Sequence, residues 1–441
     1  MRRTTVLLCA LLAVASGSLA REHPNIILIL ADDQGWNALS IPADPDIPGS
    51  GSTYFQTPNI DRLASEGMRF PIAYSGGATC SPSRHSIQFG RTPASLGIVG
   101  YEGKSDNVNA DNGDALANVL KRGCPDYVAA HFGKWHMMPP PEALGFDIDD
   151  GENGNKEGDA SDPNDPKLIY SLTRKAEAFL EKQAKTGTPF LLQVSHYANH
   201  LDYQALPQTV EKYETERASL KTEYHRDALW AAMNENLDES VGRILAKVDE
   251  LGLADNTYVI YTADNGYEDK ADSKTPVAER GFFKAYPQRA HKYTINEGGI
   301  RVPMIIRGPG IEPNTVCRVP VSGLDLLPTM LGFAGLSNAV PESVEGGSLL
   351  PVLKGGEQVE RGIPGFCFRY SKPWQRDVAM VQGNYKVLKN LDRNELYLWD
   401  LSADISEQEN LAGIYPEKAE KLYMEMEAYF QRNGWDITKK K

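Results

Sequence analysis

The sequence has little cysteine, no excess of positive charge and, after residue 20, no long apolar run. It has 46 lysines and arginines and 59 aspartates and glutamates, which gives a net charge of −13. Nucleic acid binding relies on clustered lysine and arginine, so this balance argues against a nucleic acid partner. It also argues against capture of polyanions by the whole surface. An anionic substrate would therefore need a local cationic pocket.

Residues 1–20 have the pattern of a signal peptide. Arg2 and Arg3 form a basic start, residues 6–14 are apolar, and residues 18–20 form a small-residue cleavage site. The apolar run is too short for a spanning helix, and no later segment is long and apolar enough to cross a membrane. We expect export to the periplasm or outside by a Sec-type signal. The twin-arginine route is the alternative, with little support from the residues that flank the arginines.

The few cysteines exclude a disulfide scaffold. After residue 20 the chain has only Cys80, Cys124, Cys317 and Cys367. If Cys80 is reserved for chemistry, an odd number remains and at most one bridge can form.

Apolar runs at residues 25–31, 127–132, 190–194 and 257–263 predict strands that are buried on both faces of a mostly parallel sheet. From about residue 362, short strands with turn signals precede a helix at Pro416–Arg432. We therefore predict an α/β fold with a large, mostly parallel sheet flanked by helices in residues 21–361. A smaller antiparallel sheet with one helix follows in residues 362–441.

Two further segments have clear local patterns. Residues 224–251 predict a long amphipathic helix. Its expected buried stripe consists of Leu229, Met233, Leu237, Val241, Leu245 and Val248. Residues 146–167 are rich in aspartate, asparagine and glycine, so we expect a solvated loop there, with a structural calcium loop as the alternative.

Polar side chains follow two of the predicted buried strands. Asp32 and Asp33 come after residues 25–31, and Asp264 and Asn265 come after residues 257–263. Ligand sites in open α/β sheets lie beyond the carboxyl ends of the strands, so the two pairs suggest a metal site. The alternatives are a helix cap or solvated turn for the first pair and a hairpin turn for the second.

A lysine and two candidate histidines follow the other two strands. Lys134 and His136 come after residues 127–132, and they point the same way if the backbone stays extended. A surface lysine and a packed histidine are the alternative. The segment after residues 190–194 contains His196 and His200.

The stretch Thr79-Cys80-Ser81-Pro82-Ser83-Arg84 fits the start of a helix. Cys80 would lie near the N-cap, Pro82 in the first turn and Arg84 one turn into the helix. Free backbone N–H groups at such a position attract an anion. The alternative is a capped helix with a buried thiol.

The motif Cys-x-Pro-Ser-Arg, followed by Gly90-Arg91, resembles the signature of the type I sulfatases, in the alkaline-phosphatase-like superfamily. Gly-Lys-Trp-His at residues 133–136 resembles a second signature of that family, and residues 292–303 resemble its Lys-x4-Glu-Gly-Gly-x-Arg-x-Pro segment. The resemblance implies that Cys80 is oxidised to formylglycine by a formylglycine-generating or sulfatase-maturating enzyme.

The resemblance also implies a metal site and a sulfate site. The metal ligands would be Asp32, Asp33, Asp264, Asn265 and residue Cys80 after its oxidation. Oxygen ligands favour a hard cation, and we expect Ca²⁺ in preference to Mg²⁺. The fixed cations that hold the sulfate would be Arg84, Lys134 and Lys292.

The resemblance also implies which side chains transfer protons. His200 or Lys292 would protonate the leaving alcohol, and His136 would help to expel sulfate and regenerate the aldehyde. In this family, a histidine near residue 200 is commonly followed after a short step by a proline. Here His200 is in that place, but Leu201-Asp202 follow it. We prefer His200 to His196 for this position.

We therefore predict a hydrolase that releases sulfate from a sulfated small molecule or polysaccharide, with a carbohydrate sulfate as the expected substrate. An insert between residues 266 and 292 would suit stacking on sugar rings, with a solvated excursion as the alternative. It contains Arg280, Phe282, Phe283, Lys284, Tyr286 and Arg289. The alternatives are a formylglycine-dependent phosphonate or phosphodiester hydrolase and a non-catalytic protein that binds sulfated glycans.

Overall fold

The structure is a computed structural model and describes residues 23–98, 108–217, 228–268, 286–372 and 375–438. The predicted signal peptide lies outside the described residues, as do Arg280, Phe282, Phe283 and Lys284 of the insert. Among the helices of the described residues, none has both the length and the apolarity that a membrane crossing requires.

The strands of the described residues form three sheets. They are β1 (Asn25–Ala31), β2 (Met68–Arg69), β3 (Ala73–Tyr74), β4 (Val128–Gly133), β5 (Ile148–Asp149), β6 (Phe190–Ser195), β7 (Thr257–Ala263), β8 (Met304–Arg307), β9 (Thr315–Val316), β10 (Val321–Ser322), β11 (Phe366–Lys372), β12 (Gln375–Gln382), β13 (Tyr385–Asn390) and β14 (Glu395–Asp400). The large sheet has the order β5-β4-β6-β1-β7-β8-β2-β9. Its strands from β5 to β7 are parallel, whereas β8 is antiparallel to β7 and β2. The predicted mostly parallel sheet is confirmed.

Helices cover both faces of the large sheet. The helices of the described residues are α1 (Pro58–Ser65), α2 (Cys80–Phe89), α3 (Leu116–Gly123), α4 (Ile169–Thr186), α5 (Pro207–Arg217), α6 (Ala228–Glu250), α7 (Glu297–Ile300), α8 (Leu326–Phe333), α9 (Leu350–Leu353) and α10 (Pro416–Arg432). Ile27 and Ile29 of β1 pack with α1, α4 and α6, whereas Ile26 and Leu28 pack with α2, α3 and α8. Because side chains alternate along a strand, a strand that is covered on both faces is apolar at every position.

The four strands β11-β12-β13-β14 form the predicted smaller antiparallel sheet. One face, with Val378 and Val387, packs on α10. The other face, with Leu388 and Trp399, packs on residues of the larger domain that include Tyr74. The small sheet is therefore held between its own helix and the larger domain.

A buried ion cluster strengthens this contact between the small sheet and the larger domain. Lys386 Nζ donates to Glu297 Oε1 at 3.0 Å and lies 2.8 Å from Glu407 Oε1. Burial opposes the charge of Lys386, but the carboxylates of Glu407 and Glu297 outweigh burial and raise the pKa of its ammonium group. The backbone N–H of Glu297 also donates to Glu407 Oε2 at 2.9 Å. The small sheet thus helps to fix the start of α7, shortly after Lys292.

One position in the predicted stripe of α6 is wrong. Leu229 is 36% exposed, and the neighbouring Trp230 is buried instead. A step of four residues overshoots a helical turn by about 40°, so three such steps rotate Leu229 by roughly 120° from Val241. The other five predicted positions are buried. Residues 224–227 lie outside the described residues.

The segment 146–167 is only partly the solvated loop that its composition predicts. Ile148 and Asp149 form β5, which pairs with β4, and Lys167 is fully buried with its Nζ 2.5 Å from Asp159 Oδ1. The loop prediction missed these contacts because polar residues can be held in place by hydrogen bonds as well as by water.

Candidate active site

The carboxyl ends of β1 and β7 carry the centre of the site. The two strands pair in parallel with their last residues opposite each other, so Asp32 and Asp264 emerge side by side. The backbone N–H of Asp33 donates to Asp264 Oδ1 at 3.1 Å, and Asn265 Nδ2 donates to Asp33 Oδ1 at 2.6 Å. All four side chains are fully buried. The two polar pairs, which are far apart in sequence, therefore form one cluster.

Cys80 is the first residue of α2 and lies against this cluster. Its Sγ is 3.3 Å from Asp32 Oδ1 and 3.6 Å from Asp33 Oδ1. Possible ligand atoms of Asp32, Asp33, Cys80 and Asp264 all lie within 4.8 Å of one another. The unpaired N–H groups at the start of a helix add a positive field at this position. The structure thus brings the cysteine motif to the end of the central strands.

Arg84 and Lys134 pair with the carboxylates from one side. Arg84 Nε and Nη2 lie 3.0 and 2.8 Å from Asp264 Oδ2, and Arg84 Nη1 donates to the Lys134 carbonyl at 2.5 Å. Lys134 Nζ donates to Asp32 Oδ2. Both cations are buried. A buried charge requires partners of this kind, so the cations and the acids stabilise each other.

Lys292 pairs with the acids from the other side. Its Nζ lies 2.8 Å from Asp33 Oδ2 and 3.1 Å from Glu268 Oε2. Burial opposes its charge, but Asp33 first and Glu268 after it help to raise the pKa of its ammonium group well above the ordinary value. Lys292 is therefore charged at neutral pH.

Glu268 is a residue of this site that the sequence reasoning missed. Besides Lys292, it contacts Tyr293, whose hydroxyl donates to Glu268 Oε1 at 2.8 Å. Its only sequence signal is an acid four positions after Asp264, which a solvated turn would produce equally well.

Burial and the neighbouring charges set the pKa of each carboxyl group. Burial opposes the charge of Asp32, but Lys134 and other cations outweigh burial and lower its pKa well below the ordinary value. Burial, followed by the charge of Asp32, raises the pKa of Asp264 to about 6. Burial also raises the pKa of Asp33. With Glu268, four carboxyl groups lie beside three cations, so the side chains leave an excess of negative charge.

The thiol of Cys80 is not activated by its surroundings. Burial, together with the charges of Asp264 and Asp32, raises the pKa of the Cys80 thiol well above its ordinary value. Because the thiolate is the nucleophilic form of cysteine, an unmodified Cys80 is a poor nucleophile at neutral pH.

The backbone does not stay extended between Lys134 and His136, so the condition for their shared direction is not met. His136 has a φ of 54°. The segment is held by Asn153, whose Oδ1 accepts from the Trp135 N–H at 2.7 Å and whose Nδ2 donates to the Gly133 carbonyl at 2.8 Å. Burial and the charge of Lys134 lower the pKa of His136 to about 3.

Of the two histidines after β6, the structure brings His200 to the cluster. His200 Nε2 lies 3.9 Å from Asp33 Oδ2 and 3.7 Å from Glu268 Oε2. His196 is fully buried elsewhere, with its Nε2 3.3 Å from Ser240 Oγ. Burial is the main cause that lowers the pKa of His200 to about 4.

The donor set fits a hard divalent cation. It offers carboxylate oxygens from Asp32, Asp33 and Asp264, which are the ligands that calcium and magnesium prefer. The Oδ1 atom of Asn265 is buried and has no hydrogen-bond partner among the described residues. An ion at this position would give that oxygen a partner and would offset the crowding of the acids.

The chain matches two models of protein families. The model described as Sulfatase matches residues 24–336. The model described as N-sulphoglucosamine sulphohydrolase, C-terminal, matches residues 286–433. Together they cover both the large sheet and the small sheet.

Curated relatives match over most of the chain. The N-acetylgalactosamine-6-sulfatase of Sus scrofa is 31% identical over 401 residues, which cover 83% of this chain and 72% of the relative. The ulvan-active sulfatase of Formosa agariphila is 26% identical over 88% of this chain and 77% of its own length.

A solved structure has the same fold. The crystal structure of Ps i-CgsB in complex with k-i-k-neocarrahexaose superimposes with a TM-score of 0.76 and 24% identity, and 93% of each chain is covered.

Proposed function

Because this chain belongs to the type I sulfatase family of the alkaline-phosphatase-like superfamily and is a sulfuric ester hydrolase, we propose that it removes sulfate from a carbohydrate. We propose that it does so with a formylglycine made from Cys80 and with a bound calcium ion. The observation that carries the proposal is the presence of three buried cations, Arg84, Lys134 and Lys292, around the Cys80 end of α2. A sulfate ester is always anionic at neutral pH, and preorganised cations are what such a group needs in a buried site.

The substrate class rests on the relatives. One relative is a sulfatase of N-acetylgalactosamine 6-sulfate, another is active on ulvan, and a protein with the same fold binds a neocarrahexaose. These three are carbohydrates, which favours a carbohydrate sulfate here.

The raised pKa of the Cys80 thiol supports the modification. A thiol that stays protonated cannot attack sulfur efficiently, whereas an aldehyde that adds water presents hydroxyl groups. We propose that a formylglycine-generating or sulfatase-maturating enzyme acts on residue 80, with Pro82 and Arg84 as part of the sequence that it reads.

We propose that Asp32, Asp33, Asp264 and Asn265 hold the calcium ion together with the modified residue 80. When bound, the ion would lower the pKa of a hydroxyl group on the nucleophile and offset negative charge on the sulfate. Three cations face four carboxylates here, because Glu268 also contacts Lys292. A divalent ion would therefore leave the centre positive and ready for an anion.

The side chains of this site would share the proton transfers. We propose that the ammonium groups of Lys134 and Lys292 hold sulfate oxygens, and that His200 Nε2 donates a proton to the leaving alcohol. The pKa of the His200 ring is lowered to about 4 in the absence of an anion, and a sulfate beside it would favour the protonated form. Lys292 is the alternative donor. His136 is the base that we propose for the release of sulfate.

We also propose that residues 1–20 direct export to the periplasm or outside. Within the mature chain, residues 21–361 would form the catalytic domain and residues 362–441 the C-terminal subdomain.

The function is tested by sulfate release from a panel of substrates. The panel contains 4-nitrophenyl sulfate, N-acetylgalactosamine 6-sulfate and ulvan oligosaccharides, with 4-nitrophenyl phosphate and bis(4-nitrophenyl) phosphate beside them. We expect a higher kcat/KM on a sulfated sugar than on either phosphate ester. A preference for the phosphodiester would instead indicate the phosphodiester hydrolase, and binding of sulfated glycans with no release would indicate a non-catalytic protein.

His200→Ala is expected to lower kcat on sulfated sugars by on the order of 100- to 10,000-fold, because their alcohol leaving groups need a proton. The loss should shrink on 4-nitrophenyl sulfate, whose leaving group needs little protonation. The measurement is kcat for both substrates with wild type and variant.

His196→Ala is the matched control for this prediction. His196 is also buried after β6, but it contacts Ser240 and not the acids of the site. We expect no dependence on the leaving group in this variant. If His196→Ala shows that dependence and His200→Ala does not, the assignment of the acid is wrong.

A further inference from the structure

We propose that a cleft between the small sheet and the loop before α7 binds a second sugar of the glycan, so that the enzyme prefers an oligosaccharide to a single sulfated sugar. This inference rests on the proposed function, because it names the substrate of the same site more closely. The cleft has a volume of about 540 Å³. Small-molecule sites have volumes of roughly 300–1,000 Å³, so the cleft has room for a sugar ring.

The wall of the cleft is one face of the small sheet. Gln375 and Asp377 are two positions apart on β12, and Tyr397 and Trp399 are two positions apart on β14. Residues at this spacing lie on the same face of a strand. The pairing of Asp377 with Asn390 across β12 and β13 places the neighbouring strand's polar side chain there as well. Further along the strands, this same face packs on the larger domain. The cleft is the part of the face that the larger domain does not cover.

An aromatic platform borders the cleft. The rings of Tyr397 and Trp399 are stacked, with centroids 5.4 Å apart and planes at 9°. Trp399 is buried and forms the floor, whereas Tyr397 is only half-buried. A sugar ring has apolar C–H faces, and a flat aromatic ring is the side chain that covers such a face at low entropic cost.

Fixed polar groups stand beside this platform. Asp377 accepts hydrogen bonds from Gln375 Nε2 at 2.8 Å and from Asn390 Nδ2 at 2.7 Å, so the three planar groups hold each other in place.

The charges of the cleft favour a hydroxyl-rich ligand over a simple anion. Arg289 and Arg393 line it, but so do Asp377 and Asp392. The arginines can pair with the anionic groups of a sulfated glycan, whereas the carboxylates can accept hydrogen bonds from its hydroxyl groups. Hydroxyl groups both donate and accept hydrogen bonds, so they can use both kinds of partner.

The cleft and the reaction centre share one short loop. Lys292 points its Nζ at Asp33, and Asn296, four residues later, lines the cleft. Four residues span at most about 14 Å between the Cα atoms. The cleft therefore lies within reach of an oligosaccharide whose sulfated sugar is held at the reaction centre.

The test is a binding measurement on the full-length Cys80→Ala protein, which does not depend on catalysis. The probes are hexasaccharides of chondroitin 6-sulfate and of ulvan, with N-acetylgalactosamine 6-sulfate as the single sugar. We expect at least one hexasaccharide to bind about ten-fold more tightly than the single sugar by calorimetry. Adding Tyr397→Ala or Arg393→Ala should remove this advantage, with less than about a two-fold change for the single sugar.

Two further variants test whether the loss of hexasaccharide affinity is specific to the cleft. Tyr397→Phe keeps the ring and should keep most of the hexasaccharide affinity. Tyr415→Ala removes a tyrosine that is 52% exposed away from the cleft, and it should change nothing. Arg393 is exposed and Tyr397 is half-buried against the core of the small sheet, so the melting temperature of each variant is measured to check that it folds.

Two results would overturn the inference. One is that neither hexasaccharide binds more tightly than the single sugar, and the other is that the advantage survives both Tyr397→Ala and Arg393→Ala. Failure of the proposed function looks different, because it is the absence of sulfate release from every ester by the unmutated protein. The binding measurement uses the Cys80→Ala protein, so its outcome does not depend on sulfate release.

Discussion

Replacement of Cys80 by alanine is expected to lower kcat for sulfate esters by at least about 10,000-fold, because alanine cannot be oxidised to an aldehyde and removal of a covalent nucleophile costs a factor of this size. The fold should be kept. The change removes one sulfur atom at the first position of α2, and the helix is buried along its whole length by other side chains. Steady-state sulfate release and the melting temperature check both parts.

Cys367→Ala is the matched control. Cys367 is also buried, at 2% exposure against 4% for Cys80, but it lies in the small sheet with α10. We expect near wild-type turnover in this variant. In parallel, mass spectrometry of the peptide around residue 80 from active protein should show an aldehyde or its hydrate in place of the thiol. Full activity with an intact thiol would refute the formylglycine proposal.

Cys80→Ser distinguishes a formylglycine from a simple hydroxyl nucleophile. A serine hydroxyl can attack sulfate once, but it lacks the second hydroxyl group that would let the ester collapse. We therefore expect one covalently bound sulfate per chain and then no further turnover, as seen in the intact protein mass. Multiple turnover at the wild-type rate would mean direct hydrolysis.

The buried strands could be predicted from the sequence because their environment leaves a simple pattern. A strand that is covered on both faces is apolar at every position, and residues 257–263 form β7 with the predicted bounds. The helix at Pro416–Arg432 also has its predicted bounds. Leu229 was misplaced because a constant step of four residues drifts around a helix, which matters only over several turns.

The candidate site was predictable where its residues follow strands. Asp32 and Asp264 could be expected to meet because the carboxyl ends of parallel strands share one edge of a sheet. Glu268 and Asn153 could not be found in this way. They lie in loops, and their contacts with Lys292 and with the backbone around Trp135 depend on how those loops fold back. No periodic pattern in the sequence indicates such a contact between loops.

Calcium is expected to raise the melting temperature of the wild-type protein, and Asp264→Asn is expected to abolish that rise. An ion that binds only the folded state adds about 2.7 kcal/mol to the free energy of unfolding at one hundred times its Kd. Asp264 supplies one of the three carboxylates, so its loss should weaken the site and also reduce turnover. The measurement is thermal unfolding with calcium and with a chelator. Glu312→Gln, which changes an exposed carboxylate, is the control.

The pKa of Asp264 explains why the ion should have a large effect at neutral pH. Its folded-state pKa of about 6 lies above the ordinary value of 3.8, so the folded protein binds more protons than the unfolded chain between these values. Without the ion, this carboxyl group therefore makes folding less favourable as pH rises through that window. Calcium should remove this loss, because it favours the charged form. We expect the stabilisation by calcium to be larger at pH 7 than at pH 5 in the wild type and absent at both pH values in Asp264→Asn. Equal stabilisation of the variant and the wild type would place the ion elsewhere.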